Sequence, residues 1–88
     1  MRRLGNIISL YGQSCVIIKS EHDFKKKANF LLNLNIFNKN MKIIGKINSI
    51  FGSENQIYFL AKIYKNELII IKKKYFENYN EYKIYIEN

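Results

Sequence analysis

Ile44-Gly45-Lys46-Ile47-Asn48-Ser49-Ile50-Phe51-Gly52 is the stretch on which the fold turns. Its β-branched and aromatic residues suit a pleated, half-buried strand. Glycine at position 45 weakens such a strand unless the backbone bends or another segment comes close. The apolar phase also slips, because Ile47 and Ile50 stand three apart rather than two or four. A β-bulge near Asn48-Ser49 restores the phase and bends the strand. Gly5 is a second glycine inside an apolar run, whereas Gly12 and Gly52 suit turns. Two bent strands in so short a chain fit the corners of a small barrel.

Working outward, the rest of the chain reads as further short strands. Residues 4–11 and 15–19 form a hairpin around the turn Gly12-Gln13-Ser14. Residues 34–37 give a short strand that turns through Asn38-Lys39-Asn40 into the strand 42–51. After a turn at 52–55, Ile57, Phe59, Ala61 and Ile63 alternate along 57–64. The opposite face of that strand, with Tyr58, Leu60, Lys62 and Tyr64, is too apolar for plain solvent and is expected to meet a loop or a partner. Ser20 to Asn33 is less regular, and its Lys25-Lys26-Lys27 run reads as an exposed loop anchored by Phe24 and Phe30. Leu68 to Ile71 is a continuous apolar run, expected to be buried on both faces. Residues 82–86 have strand character, with Leu68 to Ile71 as the alternative closing strand, and Tyr75 to Glu81, lacking Gly and Pro, reads as a helical turn or a loop. The expectation is one all-β domain over residues 1–88, with a core at 2–64 and a closing strand near 82–87. No linker, repeat or second domain is read.

Composition bounds the function. A hydrophobic content of 48% excludes a disordered tail. The formal charge is +8, from 15 Lys plus Arg against 7 Asp plus Glu, which draws in nucleic acid or an acidic protein surface. Lys, Asn and Ile are abundant together, as AT-rich coding produces, so charge alone assigns no partner. The single cysteine, Cys15, excludes an intramolecular disulfide and a multi-cysteine zinc site, and in its apolar run it reads as a small buried thiol. His22 lies between Glu21 and Asp23, but three adjacent side chains do not converge on one metal or proton. No nucleophile–base set and no glycine-rich phosphate loop is present. An enzyme is not expected, nor a catalytic residue, metal or cofactor. No signal-peptide core or membrane-length apolar run is found, so a soluble, intracellular protein is expected.

Residues 44–52, followed by Tyr58, resemble the central signature of the Gar family, the glycine/arginine-rich-domain subunits of H/ACA ribonucleoproteins, in its short archaeal-type form. Ile36-Phe37-Asn38 looks like that family's turn into the strand, Arg2-Arg3-Leu4-Gly5-Asn6-Ile7 like its first strand, and Ile84-Tyr85-Ile86-Glu87 like its last. The chain departs from the pattern where Ser53 and Ile57 replace prolines, where Asn38 replaces an acid, and where glycine is missing before the closing strand.

The resemblance implies a six-stranded barrel like the second domain of translation elongation factors (the reductase/isomerase/elongation factor common barrel). It implies an accessory role, without catalysis, in rRNA pseudouridylation and ribosome biogenesis. The subunit would dock on the catalytic domain of the pseudouridine synthase and assist substrate loading and product release. Ile44, Gly45, Ile47, Ile50, Phe51, Gly52 and Tyr58 are the docking candidates, with Gly45 and Gly52 letting the backbone approach the synthase. Guide RNA, target rRNA and the other H/ACA proteins would be reached mainly through the synthase. The site of action would be the cytoplasm in an archaeon or the nucleolus in a eukaryote. Lys25, Lys26, Lys27, Lys72, Lys73 and Lys74 are candidates for RNA backbone contact. Tyr75, Tyr79, Tyr82 and Tyr85 invite a base-stacking reading against one of barrel packing. The alternatives are a small RNA-binding barrel, the related H/ACA assembly factor, or a translation-associated barrel.

Overall fold

The computed structural model describes residues 1–21, 28–53, 55–75 and 78–87. Six antiparallel strands close into a barrel: β1 (Arg2–Tyr11), β2 (Cys15–Ser20), β3 (Asn35–Phe37), β4 (Ile43–Ser53), β5 (Gln56–Ile63) and β6 (Lys83–Ile86). Their order around the barrel is β1-β2-β5-β4-β3-β6, with β6 returning to β1. Closure leaves no long unpaired edge, which matters for a chain with this many exposed β-branched residues. Alternation fills the interior: Val16 and Ile18 from β2, Phe59, Ala61 and Ile63 from β5, and Ile44 and Ile47 from β4 are buried.

The expected bulge is present. Ile47 pairs with Ala61 and Ser49 with Leu60, so Asn48 is the extra residue. It lets Ile47 and Ile50 both turn toward the core although they stand three apart. The in-strand glycines also have a local cause. A Cβ on Gly45 would overlap the Lys62 carbonyl oxygen of β5, and one on Gly5 would overlap the Lys19 carbonyl oxygen of β2. The close approach is therefore within this chain, and the reading of Gly45 as a contact with a partner's backbone is corrected.

The strands form two copies of one unit, which the sequence reading did not separate. Leu4-Gly5-Asn6-Ile7-Ile8-Ser9-Leu10-Tyr11-Gly12 matches Ile44-Gly45-Lys46-Ile47-Asn48-Ser49-Ile50-Phe51-Gly52, with glycine, isoleucine and serine at equivalent places. The pairing repeats as well. Gly5, Ile7, Ser9 and Tyr11 face Ser20, Ile18, Ile17 and Cys15, while Gly45, Ile47, Ser49 and Phe51 face Ile63, Ala61, Leu60 and Tyr58. Both hairpins take their bulge at the same step, after Ile7 and after Ile47. Ile84 pairs with Gly5 as Ile36 pairs with Gly45, each beside a further register shift. Even isolated bonds recur: Glu21 N–H donates to Leu4 O and Tyr64 N–H to Ile44 O, while Ile7 N–H donates to Tyr82 O and Ile47 N–H to Leu34 O. Exchanging β1–β2–β3 with β4–β5–β6 maps the barrel onto itself.

Residues 65–81 resolve two expectations. The run Leu68 to Ile71 is neither a strand nor buried on both faces; it lies in α1 (Lys65–Lys74). Leu68 and Ile71, three apart, turn onto the barrel, while Ile69 and Ile70 face outward. Glu67 in the first turn and Lys72, Lys73 and Lys74 in the last match the helix dipole. A 3-10 turn at Tyr79–Glu81 then leads into β6, confirming the closing strand. Phe30, in the 3-10 helix Ala28–Leu31, is 79% exposed rather than an anchor, and the buried residue there is Leu31. Cys15 is half-buried rather than buried, because β2 turns Val16 and Ile18 inward and Cys15 and Ile17 outward. Among the described residues no helix is long and apolar enough to cross a membrane.

Candidate functional site

The outer surface of β4, β5, β2 and β1 carries an apolar strip. Phe51 on β4 faces Tyr58 on β5, and their rings stack at 5.5 Å between centroids with 19° between planes. Leu60, two residues along β5 from Tyr58, faces Ile17 on β2. Cys15, two residues back along β2, faces Tyr11 on β1. The two-copy architecture makes this strip nearly symmetric, with Phe51 equivalent to Tyr11 and Leu60 to Ile17. Its ends project most, Phe51 at 45% exposed and Tyr11 at 58%. Lysines border it: Lys19 beside Tyr58, and Lys46 directly opposite Lys62.

The docking candidates divide across the barrel wall. Ile44, Gly45 and Ile47 are buried and touch only this chain's own interior, so their place in a contact surface is corrected. Ile50 is half-buried and packs on the core. Phe51, Gly52 and Tyr58 reach the surface. Gly52 turns the chain at φ +113°, and a Cβ there would overlap the Gln56 carbonyl, so its role is in the β4–β5 turn. Leu60 lies on the face of β5 expected to meet a loop or a partner, and Tyr11 and Ile17, which the sequence does not single out, extend that face across β2 and β1. The signal for them was the alternation of β1, β2 and β5 itself.

A second feature lies where α1 crosses the β3–β4 turn. The Glu67 carboxylate is buried and pairs with Lys42 Nζ at 2.8 Å. Asn38 Oδ1 accepts hydrogen bonds from the backbone N–H of Asn40 at 2.9 Å and of Lys42 at 3.1 Å, fixing the turn. Tyr82 sits beneath, its ring edge-on to Tyr75 at 5.1 Å. Burial, reinforced by the negative charge of Glu67, pushes the Tyr82 hydroxyl from its ordinary 10.0 up to about 12. Because the folded value is raised, this stabilising contribution is full below pH 10.0 and is lost as pH rises through about 12. Denaturant midpoints measured at about pH 9 and about pH 11.5 should fall more for wild type than for Tyr82→Phe, since lysine deprotonation affects both proteins alike. Equal falls would contradict the assignment.

The remaining candidates separate. Lys72, Lys73 and Lys74 lie exposed on the last turn of α1. Lys25, Lys26 and Lys27, with His22 and Asp23, lie outside the described residues. Tyr82 is buried in the core and the half-buried Tyr75 and Tyr79 pack against it, whereas Tyr85 is half-buried on the outside of β6. The Arg3 guanidinium, bonded to the Tyr85 side chain and paired with Glu21 at 3.3 Å, is pushed above its usual value and fastens β1 to β6. Among the described residues no three His, Cys, Asp or Glu side chains group as a metal site. No protein-family model matches the chain, and no curated protein matches it either.

Proposed function

We propose that this chain is a non-catalytic accessory subunit of the H/ACA guide-RNA pseudouridine synthase particle, docking on the synthase through the outer face of β4, β5 and β2. The supporting observation is the stacked Phe51–Tyr58 pair at the exposed end of the strand that carries the Gar-like signature. Large aromatic groups on a surface strip edged by lysines are the usual anchors of a protein interface. The mechanism is a shift of population in the partner. Contacts made with only one position of a mobile synthase loop favour that position by their differential affinity, which assists loading and release of substrate RNA.

Gel filtration of the chain mixed with the synthase subunit, without RNA and at moderate salt, tests this directly. Wild type should co-elute. Phe51→Ala should cost at most about 1 kcal/mol of stability, because the ring is half exposed. It should weaken association by about 2 kcal/mol or more. Unchanged co-elution by Phe51→Ala with an intact fold would remove the strip from the interface. A second reading, a small RNA-binding barrel, is favoured by Lys46 standing opposite Lys62, since like charges across a strand pair repel unless an anion bridges them. Tight binding of guide RNA by the isolated chain, without association to the synthase, would select that reading.

A further inference from the structure

The cleft between α1, the β3–β4 turn and β6 has a volume of about 370 Å³, within the range of small-ligand sites. Its wall is aromatic, formed by Tyr75, Tyr82 and Tyr85, and its rim carries Lys39 on the turn and Lys74 on the helix. With Lys42 and Lys83, the latter 3.9 Å from Glu21, the lining holds four lysines to the two carboxylates of Glu67 and Glu81 and is positive overall. Glu67 is already engaged by Lys42 at 2.8 Å, which offsets the one buried negative charge at the floor. The rim is pre-set, because Asn38 holds the turn through two backbone N–H groups. The Tyr82 hydroxyl stays protonated at neutral pH and presents no charge to an anion. Aromatic walls beneath a cationic rim suit a ligand with a flat ring at one end and an anion at the other.

We infer that this cleft binds a nucleotide unit, its base against Tyr75 and Tyr85 and its phosphate between Lys39 and Lys74. The site lies away from the β4–β5 strip and does not depend on docking there.

The test is NMR titration of the full chain with uridine monophosphate, adenosine monophosphate, a uridine hexaribonucleotide and inorganic phosphate. Nucleotides should shift resonances of Lys39, Tyr75, Tyr85 and the end of α1. The pair Lys39→Ala and Lys74→Ala, both exposed positions that leave the core intact, should weaken binding about tenfold and reduce its salt dependence. Lys65→Ala, at the exposed start of α1 and outside the cleft lining, should leave it unchanged. Hexamer binding tighter than the monophosphates assigns the cleft to a strand, and equal affinity assigns it to a free nucleotide; both support the site. Shifts outside the cleft, inorganic phosphate binding as well as the nucleotides, or a loss from Lys65→Ala equal to that from the Lys39 and Lys74 pair would overturn it.

Discussion

Phe59→Ala is expected to take the barrel close to unfolding at room temperature. Among the described residues Phe59 is the largest fully buried side chain, and it projects from β5 into the interior. Its strand neighbours are Ile18 on β2 and Ile50 on β4, so the ring joins the two hairpins. Truncating a buried phenylalanine costs about 3–5 kcal/mol in lost transfer energy and residual cavity. A chain of this length has roughly 4–13 kcal/mol in total, so the loss removes much of the margin. Closed barrels collapse poorly around a void, because each strand is held by bonds on both sides. Phe59→Leu keeps much of the volume and should cost about 1 kcal/mol. Urea unfolding followed by tyrosine fluorescence separates these outcomes. A Phe59→Ala loss below about 1 kcal/mol would mean that the interior is not packed as described.

Much of the barrel was legible because β alternation is a direct imprint of burial. The spacing of Ile47 and Ile50 located the bulge, since only an extra residue lets both face inward. The helix was not legible. Leu68-Ile69-Ile70-Ile71 carries β-branched residues without a polar interruption, and Tyr64 at the N-terminal boundary offers no side-chain cap. Helicity there comes from Leu68 and Ile71 packing on the barrel, a tertiary effect that outweighs local preference. The exposed apolar strip was half legible for a related reason. The family resemblance selects Ile44 and Ile47 together with Phe51, but the register shifts at Gly45 and Asn48 turn the first two inside and the third outside. The cleft depends on Asn38, Lys74 and Tyr85, far apart in sequence, and no local pattern brings them together.

The two-copy architecture yields the second large effect. Gly45→Ala should destabilise the barrel by about 3 kcal/mol, and Gly5→Ala by a similar amount. At each position the added methyl meets a backbone carbonyl of the neighbouring strand, Lys62 in one case and Lys19 in the other. A flexible side chain could swing aside; a carbonyl held in a ladder cannot, so the strand pair must part or the bend must open. Both glycines sit where the strand leaves one partner for the next, Gly45 pairing with Ile63 on one side and Ile36 on the other. Gly5 does the same between Ser20 and Ile84. Gly12 is the control: its φ is +63° but a Cβ there meets open space, so Gly12→Ala should cost only about 1 kcal/mol of backbone strain. Thermal melts of the three single variants should rank Gly45 and Gly5 together, well below Gly12. If Gly5→Ala instead melts with Gly12→Ala, the two halves are not mechanically equivalent despite their matching registers. Equal losses at Gly5 and Gly45 would make the bend, rather than any contact with another molecule, the reason glycine stands at both places.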